Sequence, residues 1–249
     1  MTHSNGMDSL PGQGGAARAA EPCGYFIALN AVADVEAWKR CSPQLRRLRE
    51  LHGARELVSA QPLIAALGPV PNSLLTIVEH PSVSGLYELL SHPEHRALSE
   101  ELGASAPGGA WAARGVWPRP GALPEAPEPR AYVVSRYQVQ DLERLQKFSD
   151  LIERLVAAHG GRFLVRIQRV DNLAGPSDGW YLSVVEFISI QQVQRGLRSS
   201  DLQDMASLRT GHGAIEFSVA TAGVASCCAG ALPSSGADAP PSPASGRRA

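Results

Sequence analysis

The sequence predicts an α+β protein in which two ferredoxin-like βαββαβ repeats pack sheet to sheet within one chain. Three observations predict it: an internal duplication, the order of elements in each copy, and a bare sheet face that each copy must cover. The 249 residues are 44% hydrophobic and 19% charged, a balance that can bury a core. This composition excludes collagen, coiled coils and wholesale disorder.

The duplication is visible when the chain is shifted by 107 positions against itself. Residues 25–82 then align with residues 132–189 without a gap, and 19 of the 58 pairs are identical. Unrelated sequences would share roughly four, so the register marks a structural repeat. The identical pairs include Tyr25/Tyr132, Asp34/Asp141, His52/His159, Gly53/Gly160, Arg55/Arg162 and Glu79/Glu186.

Composition sets the predicted boundaries of the two copies. Segments rich in Pro, Gly, Ser and Ala bury too little apolar area to offset their ordering entropy. We therefore expect a disordered head at residues 1–23, repeat one at 24–116, a linker at 117–130, repeat two at 131–225 and a disordered tail at 226–249. Five prolines in the fourteen linker residues predict an extended, semi-rigid connection.

The first half of repeat two reads as a strand followed by a helix. Residues 132–137 are β-branched and aromatic, which is typical of a strand. Asp141 then begins a helix whose apolar residues recur at a spacing of three and four. His159 and Gly160 end it, because glycine adopts the left-handed turn after a last helical residue.

The second half completes the unit. It contains a strand at residues 162–170, a turn at 175–179, a strand at 180–187, a helix capped by Ser189 and a last strand at 214–219. A βαββαβ order gives a four-stranded antiparallel sheet with both helices on one face. The other face stays bare, so the two sheets are expected to cover each other.

Strand alternation predicts which side chains enter the space between the sheets. Phe163, Val165 and Ile167 are expected beneath the helices. The opposite parity sends the intervening charged and aromatic residues inward. The inward residues that could form a site in repeat two are Tyr132, Arg136, Arg162, Arg166, Trp180, Glu186 and Glu216.

These residues predict a site for an anionic, partly aromatic substrate. Arg136 and Arg166 occur only in repeat two, and a duplicated copy is free to specialise. Guanidinium groups bind carboxylates and enolates through paired hydrogen bonds. The predicted substrate-binding residues are Arg136, Arg166, Arg162, Trp180 and Tyr132, and the predicted catalytic residues are Glu216, His212 and Glu186. Arg55–Glu79 and Arg162–Glu186 occur in both copies, so structural ion pairs remain an alternative for them.

Histidines contribute one further candidate. His212 precedes the last strand, and its ordinary pKa near neutrality suits a general base. His52 and His159 are expected to cap helix ends. His92 and His95 are three residues apart but lack a third ligand in the sequence, so no metal site and no cofactor is predicted.

Charge and hydropathy limit the possible partners and compartment. With 23 basic and 24 acidic residues, the chain lacks the positive surplus that nucleic-acid binding requires. No apolar run is long enough to span a membrane, and the first 22 residues lack the apolar core of a signal peptide. The four cysteines show no C-x-x-C spacing, so free thiols and a cytoplasmic location are expected.

Repeat two also resembles a known family. The resemblance rests on Ala131-Tyr132, Val139, Asp141, HGGRFLVR at residues 159–166 and VVEF at residues 184–187. These motifs are similar to those of the domain of unknown function 1330 (DUF 1330) family. The family lies in the dimeric α/β-barrel superfamily, which also holds antibiotic-biosynthesis monooxygenases. The resemblance implies face-to-face sheets, here within one chain, as a monomeric pseudo-dimer or a homodimer of such chains.

Two functions from different classes are compatible with these features. The first is a small-molecule enzyme of bacterial secondary metabolism without a bound redox cofactor, acting as an isomerase, cyclase, lyase or cofactor-free monooxygenase. It would use acid/base chemistry and oxyanion stabilisation on an anionic or enolisable substrate. The second is a non-catalytic ligand-binding or scaffold protein that uses the same cavity.

Overall fold

The computed structural model describes residues 21–32, 34–65, 73–103, 109–174, 180–200 and 215–224. This part of the chain forms two β-sheets, one for each repeat, and five α-helices. The predicted α+β class with two ferredoxin-like units is confirmed. The turn expected at residues 175–179 lies outside the described residues. Of the described helices, none is long and apolar enough to cross a membrane.

Repeat one follows the predicted order, with its second helical segment divided in two. Its elements are β1 (Gly24–Ala31), α1 (Val35–Leu51), β2 (Arg55–Ala60), the short β3 (Ile64–Ala65), β4 (Ser73–His80), α2 (Val83–Ser91), α3 (Pro93–Gly103) and β5 (Gly109–Arg114). The break between α2 and α3 falls at His92, directly before a proline. A residue before proline avoids the helical conformation, which explains the break.

Repeat two has the same order with one segment as its second helix. Its elements are β6 (Ala131–Gln138), α4 (Leu142–Ala158), β7 (Gly161–Arg169), the short β8 (Asp171–Ala174), β9 (Trp180–Phe187), α5 (Ile190–Leu197), β10 (Ile215–Thr221) and β11 (Gly223–Val224). The strands predicted at residues 132–137, 162–170, 180–187 and 214–219 agree with β6, β7, β9 and β10 to within two residues.

The first helix of each repeat begins and ends as predicted. The Asp141 carboxylate accepts hydrogen bonds from the backbone N–H groups of Glu143 and Arg144, and α4 ends before Gly160 at φ +68°. In α1 the Asp34 carboxylate accepts a hydrogen bond from the backbone N–H of Ala37, and Gly53 follows the end of the helix at φ +76°. Ser189 stands at the start of α5, but its hydroxyl makes no capping hydrogen bond.

The two sheets face each other across a buried cluster to which both repeats contribute. Full burial of one large apolar side chain stabilises a fold by about 1.5–3 kcal/mol. The cluster between the sheets is therefore a hydrophobic core that holds the two repeats together. The predicted sheet-to-sheet packing is confirmed. The cluster includes Tyr25, Ile27, Leu75, Ile77 and Trp111 from repeat one and Tyr132, Val134, Leu164, Leu182 and Val184 from repeat two.

Short strands are exchanged between the repeats. β3 of repeat one pairs with β10 of repeat two, and β8 of repeat two pairs with β5 of repeat one. β11 then crosses back and pairs with β2 in parallel. Among the described strands, both edges of the repeat-one sheet and one edge of the repeat-two sheet are therefore formed by strands of the other repeat.

A β-bulge in the second long strand of each repeat reverses the predicted parity. The pairing register shifts between Glu56 and Val58 in β2 and between Phe163 and Val165 in β7. One extra residue in a strand moves the side chains that follow it to the other face. Val165, expected beneath the helices, therefore lies in the interface core between the sheets. In β7 a second shift, between Val165 and Gln168, limits the reversal to a short stretch, and Ile167 packs on the helix side as predicted.

The segment between the repeats contacts both of them. The Arg119 guanidinium donates to a Glu79 carboxylate oxygen at 2.7 Å. Arg162 donates through Nη1 to the carbonyl oxygen of Pro120 at 3.0 Å and also to that of Gly121. Residues 117–130 thus lie against one end of the interface between the sheets.

Candidate functional site

Tyr132, Arg162 and Glu186 form one hydrogen-bonded group at the interface end beside the linker. The Tyr132 hydroxyl donates to Glu186 Oε1 at 3.1 Å, and Arg162 Nε donates to Oε2 at 2.7 Å. Burial, and then the neighbouring Glu186 carboxylate, raises the pKa of Tyr132 well above its usual value. The Glu186 carboxylate is therefore occupied by its own neighbours.

Repeat one builds the same group from the matching residues. The Tyr25 hydroxyl donates to Glu79 Oε2 at 2.7 Å, and Arg55 pairs with Oε1 at 3.2 Å. Arg119 supplies a third donor to this carboxylate. The recurrence in both repeats, with all charges paired, favours the alternative that these residues are structural.

Arg136 lies between two indole rings at the other end of the interface. Its guanidinium carbon is 5.1 Å from the ring centroid of Trp111 in repeat one and 5.0 Å from that of Trp180 in repeat two. Burial lowers the pKa of Arg136 from its ordinary value. Stacking of this kind joins the repeats, since each indole comes from a different sheet.

Arg166 does not point between the sheets, so the orientation predicted for it is wrong. Beyond the bulge it lies on the helix side of β7, where its guanidinium pairs with Glu153 on α4 at 2.6 Å. Glu216 lies opposite Arg136 in the register between β10 and β6. His212 lies outside the described residues. Among the described residues, then, the predicted site residues divide into separate groups: Tyr132 with Arg162 and Glu186, Arg136 with Trp180, and Arg166 on the helix side.

A cavity lined partly by polar side chains lies in repeat one. It measures about 500 Å³ and lies between the helix-facing side of the first sheet and helices α1 and α3. That volume is within the range of sites for small ligands. We call it the repeat-one cavity. Its lining includes Phe26, Asn30, Arg49, Glu56, Ser59, Thr76 and His95.

A buried ion pair forms one wall of the repeat-one cavity. Arg49 Nη1 lies 3.0 Å from Glu56 Oε2, and both side chains are less than one tenth exposed. Arg46 approaches the other carboxylate oxygen at 3.4 Å. Burial lowers the pKa of Arg49, while the Glu56 carboxylate opposes that shift. The guanidinium is thus held charged in a poorly solvated wall by its partner.

His95 lies beside this pair, on α3. Its side chain is buried, its ring meets the Phe26 ring edge to face with centroids 6.4 Å apart, and its Nδ1 is 3.4 Å from Ser99 Oγ. Burial, and then the positive charge of Arg49, lowers the pKa of His95 to about 4. The imidazole is therefore neutral at physiological pH and can accept a proton.

The matching space in repeat two is largely filled. This repeat-two cavity measures about 150 Å³ and is lined mainly by apolar side chains. Arg49 and Glu56 are replaced there by Val156 and Phe163, and the small Cys41 is replaced by Phe148. The space is thus open and partly polar in repeat one, whereas apolar side chains largely fill it in repeat two.

Sequence reasoning missed Arg49, Glu56 and His95. The signal was present in the self-alignment, because Arg49 and Glu56 stand where repeat two has Val156 and Phe163. A charged residue where the other copy has an apolar one indicates that this position does not belong to a packed apolar core. Comparing the helix-facing positions of the copies, instead of only the inward ones, would have found the repeat-one cavity.

The two paired antiparallel sheets, with helices on their outer faces, have the dimeric α/β-barrel fold. More narrowly, residues 130–222 match the family profile described as Domain of unknown function (DUF1330). The resemblance of repeat two to that family is confirmed. None of the curated proteins matches this chain.

Solved structures resemble this chain in fold over about four fifths of its length. A candidate monooxygenase from Fusobacterium nucleatum subsp. nucleatum has a TM-score of 0.51 at 9% identity, covering 82% of this chain and 94% of that one. An anthrone oxidase-like protein has a TM-score of 0.50 at 12% identity, covering 82% and 92% respectively. At these identities the likeness concerns the fold.

Among the described residues, no group of three or more His, Cys, Asp or Glu side chains could hold a metal ion. The expectation that the protein uses no metal and no cofactor stays a prediction.

Proposed function

We propose that this protein is a small-molecule enzyme that moves a proton to and from an enolisable substrate held in the repeat-one cavity. The observation that carries the proposal is His95, a neutral, buried imidazole on the wall of a cavity of ligand size. A buried base beside polar groups in a cleft is a typical arrangement for acid/base catalysis.

The proposed step is proton abstraction beside a carbonyl group. His95 accepts the α-proton, the electrons of the broken C–H bond form the enolate, and the negative charge moves to the carbonyl oxygen. The Ser59 hydroxyl and the Arg49 guanidinium are donors in the same cavity that could stabilise this oxygen. Isomerases, cyclases and cofactor-free oxygenases can all begin with this step.

The lowered pKa limits the substrate. An imidazole with a pKa of about 4 is a weak base, so it abstracts only acidic protons at a useful rate. The substrate is therefore expected to be an activated ketone whose α-carbon also adjoins an aromatic ring or a second carbonyl group. The phenyl and indole side chains of Phe26 and Trp38 in the lining fit an aromatic substituent.

We also propose that the protein works in the cytoplasm. The support is chemical: Cys23 and Cys41 are buried free thiols, which persist where the surroundings are reducing.

The test uses hydrogen exchange of 2-tetralone, an enolisable aromatic ketone, in D₂O. The full chain should accelerate deuterium incorporation at the α-carbon, measured by NMR, and His95→Gln should lower that rate about 100-fold or more. His159→Gln, which changes the histidine beside the repeat-two cavity, is the matched control and should leave the rate unchanged. Binding of 2-tetralone without exchange would instead identify a non-catalytic ligand-binding protein.

A further inference from the structure

In repeat two, the aromatic side chain of Tyr137 lies in the space between the sheet and the helices. The Tyr137 ring is buried against Phe148, with centroids 5.9 Å apart, and its hydroxyl lies 3.1 Å from Ser183 Oγ. All three side chains lie at or beside the repeat-two cavity, which Tyr137 and Phe148 line. A phenol hydrogen-bonded to a hydroxyl on the sheet thus fills this space.

Repeat one has no aromatic ring at the place of Tyr137, but it has a hydroxyl group at the position that corresponds to Ser183. Asn30 and Cys41 stand at the positions of Tyr137 and Phe148, and Thr76 stands at that of Ser183. Thr76 lines the repeat-one cavity, and no described group hydrogen-bonds to its hydroxyl. The place that a phenol ring takes in repeat two is therefore open in repeat one.

The sheet surface beneath this open place suits a flat ring. Cross-strand pairing sets Ser59 opposite Thr76, Thr76 opposite Ala28, and Ala28 opposite Ala110. These four small side chains, which we call the floor row, all line the cavity. With strands about 4.8 Å apart, the row spans roughly 14 Å. Arg166 and Phe217 replace its two ends in repeat two, where the cavity is small.

We infer that the repeat-one cavity binds a phenolic ligand whose ring takes the place of the Tyr137 side chain and whose oxygen bonds to the Thr76 hydroxyl. The inference rests on the cavity of the proposed function and names its ligand class. The Arg49 guanidinium is already compensated by Glu56, so a neutral phenol fits this cavity better than the anionic substrate expected from the sequence.

The first experiment titrates the full chain with p-cresol, which is the tyrosine side chain itself, and with toluene, which lacks the hydroxyl. Isothermal titration calorimetry should give millimolar or tighter binding of p-cresol, in keeping with its eight heavy atoms. Toluene should bind about 5-fold more weakly, the effect of one neutral hydrogen bond. Equal affinities, or no binding of p-cresol, would overturn the inference.

The second experiment locates the bound phenol. Thr76→Val should lower p-cresol affinity to that of toluene, Thr76→Ser should restore it, and Ser183→Ala in repeat two should leave it unchanged. The double variant Asn30→Tyr/Cys41→Phe, which gives repeat one the rings of repeat two, should abolish binding. If p-cresol bound equally well to Thr76→Val and Thr76→Ser, the assignment of its oxygen to Thr76 would be wrong.

These results are separable from those on the proposed function. If p-cresol binding depends on Thr76 but tetralone exchange is insensitive to His95, the phenolic site is supported and the proposed enzymatic function is wrong. If tetralone exchange depends on His95 but the protein binds p-cresol no more tightly than toluene, the proposed enzymatic function is supported and the phenolic ligand is wrong.

Discussion

Repeat one and repeat two share one fold but use the space between sheet and helices differently. In repeat two, Tyr137 and Phe148 pack there with Val156 and Phe163 and leave about 150 Å³. In repeat one, smaller or charged residues leave about 500 Å³. Two copies of one unit can therefore share a fold while one has a packed core between sheet and helices and the other has a cavity there.

The largest expected effect concerns the aromatic residue that distinguishes the two spaces. Phe148→Cys should lower the free energy of unfolding by about 3 kcal/mol, because it deletes a buried ring from a packed core. Cys41→Phe should cost less than half as much, because the repeat-one cavity lies close by and can accept a ring. Urea denaturation of both variants checks this, and equal costs would mean that the two spaces are equally packed.

The two Tyr–Glu–Arg groups should respond unequally to loss of arginine. Arg162→Ala should cost about 3 kcal/mol, because Arg162 is largely buried and its loss leaves Glu186 without a cation. Arg55→Ala should cost about 1 kcal/mol, since Arg55 is 66% exposed and Arg119 still neutralises Glu79. Thermal and urea denaturation measure both, and a larger loss for Arg55→Ala would contradict the proposed difference.

The pH dependence of stability should report on His95. Its pKa is lowered to about 4 in the folded protein from 6.5, so the unfolded chain binds the proton more readily. The contribution of His95 to stability is therefore present above pH 6.5 and decreases as the pH falls towards 4. The urea midpoint followed between pH 7 and pH 4 should fall less steeply for His95→Gln. Parallel profiles would indicate an ordinary pKa for this histidine.

The smallest effect is expected at Arg166. Its pair with Glu153 is exposed on both sides, so Arg166→Ala should change stability by about 0.5 kcal/mol or less. It should leave p-cresol affinity unaltered, because the residue belongs to repeat two. A marked loss of p-cresol binding in this variant would place the ligand in repeat two and reverse the comparison.

The regular elements were predictable because their signals are local. Asp141 and Gly160 fix the ends of α4, and alternation fixes the strands. The bulge before Val165 was not predictable, since apolar residues occur on both sides of it and only cross-strand pairing reveals the extra residue. His95 was missed because its pKa is lowered by burial and then by the charge of Arg49, and both depend on the packing of segments that are distant in sequence.

The exchanged strands should make the two repeats unfold together. The edge strands of the repeat-one sheet are β11 and β8, both from repeat two. One edge strand of the repeat-two sheet is β3, from repeat one. Open strand edges invite pairing with other molecules, and here the partner repeat occupies three of the four. Cutting the linker should therefore leave an associated pair that melts in a single transition, whereas either half alone would present bare edges and aggregate.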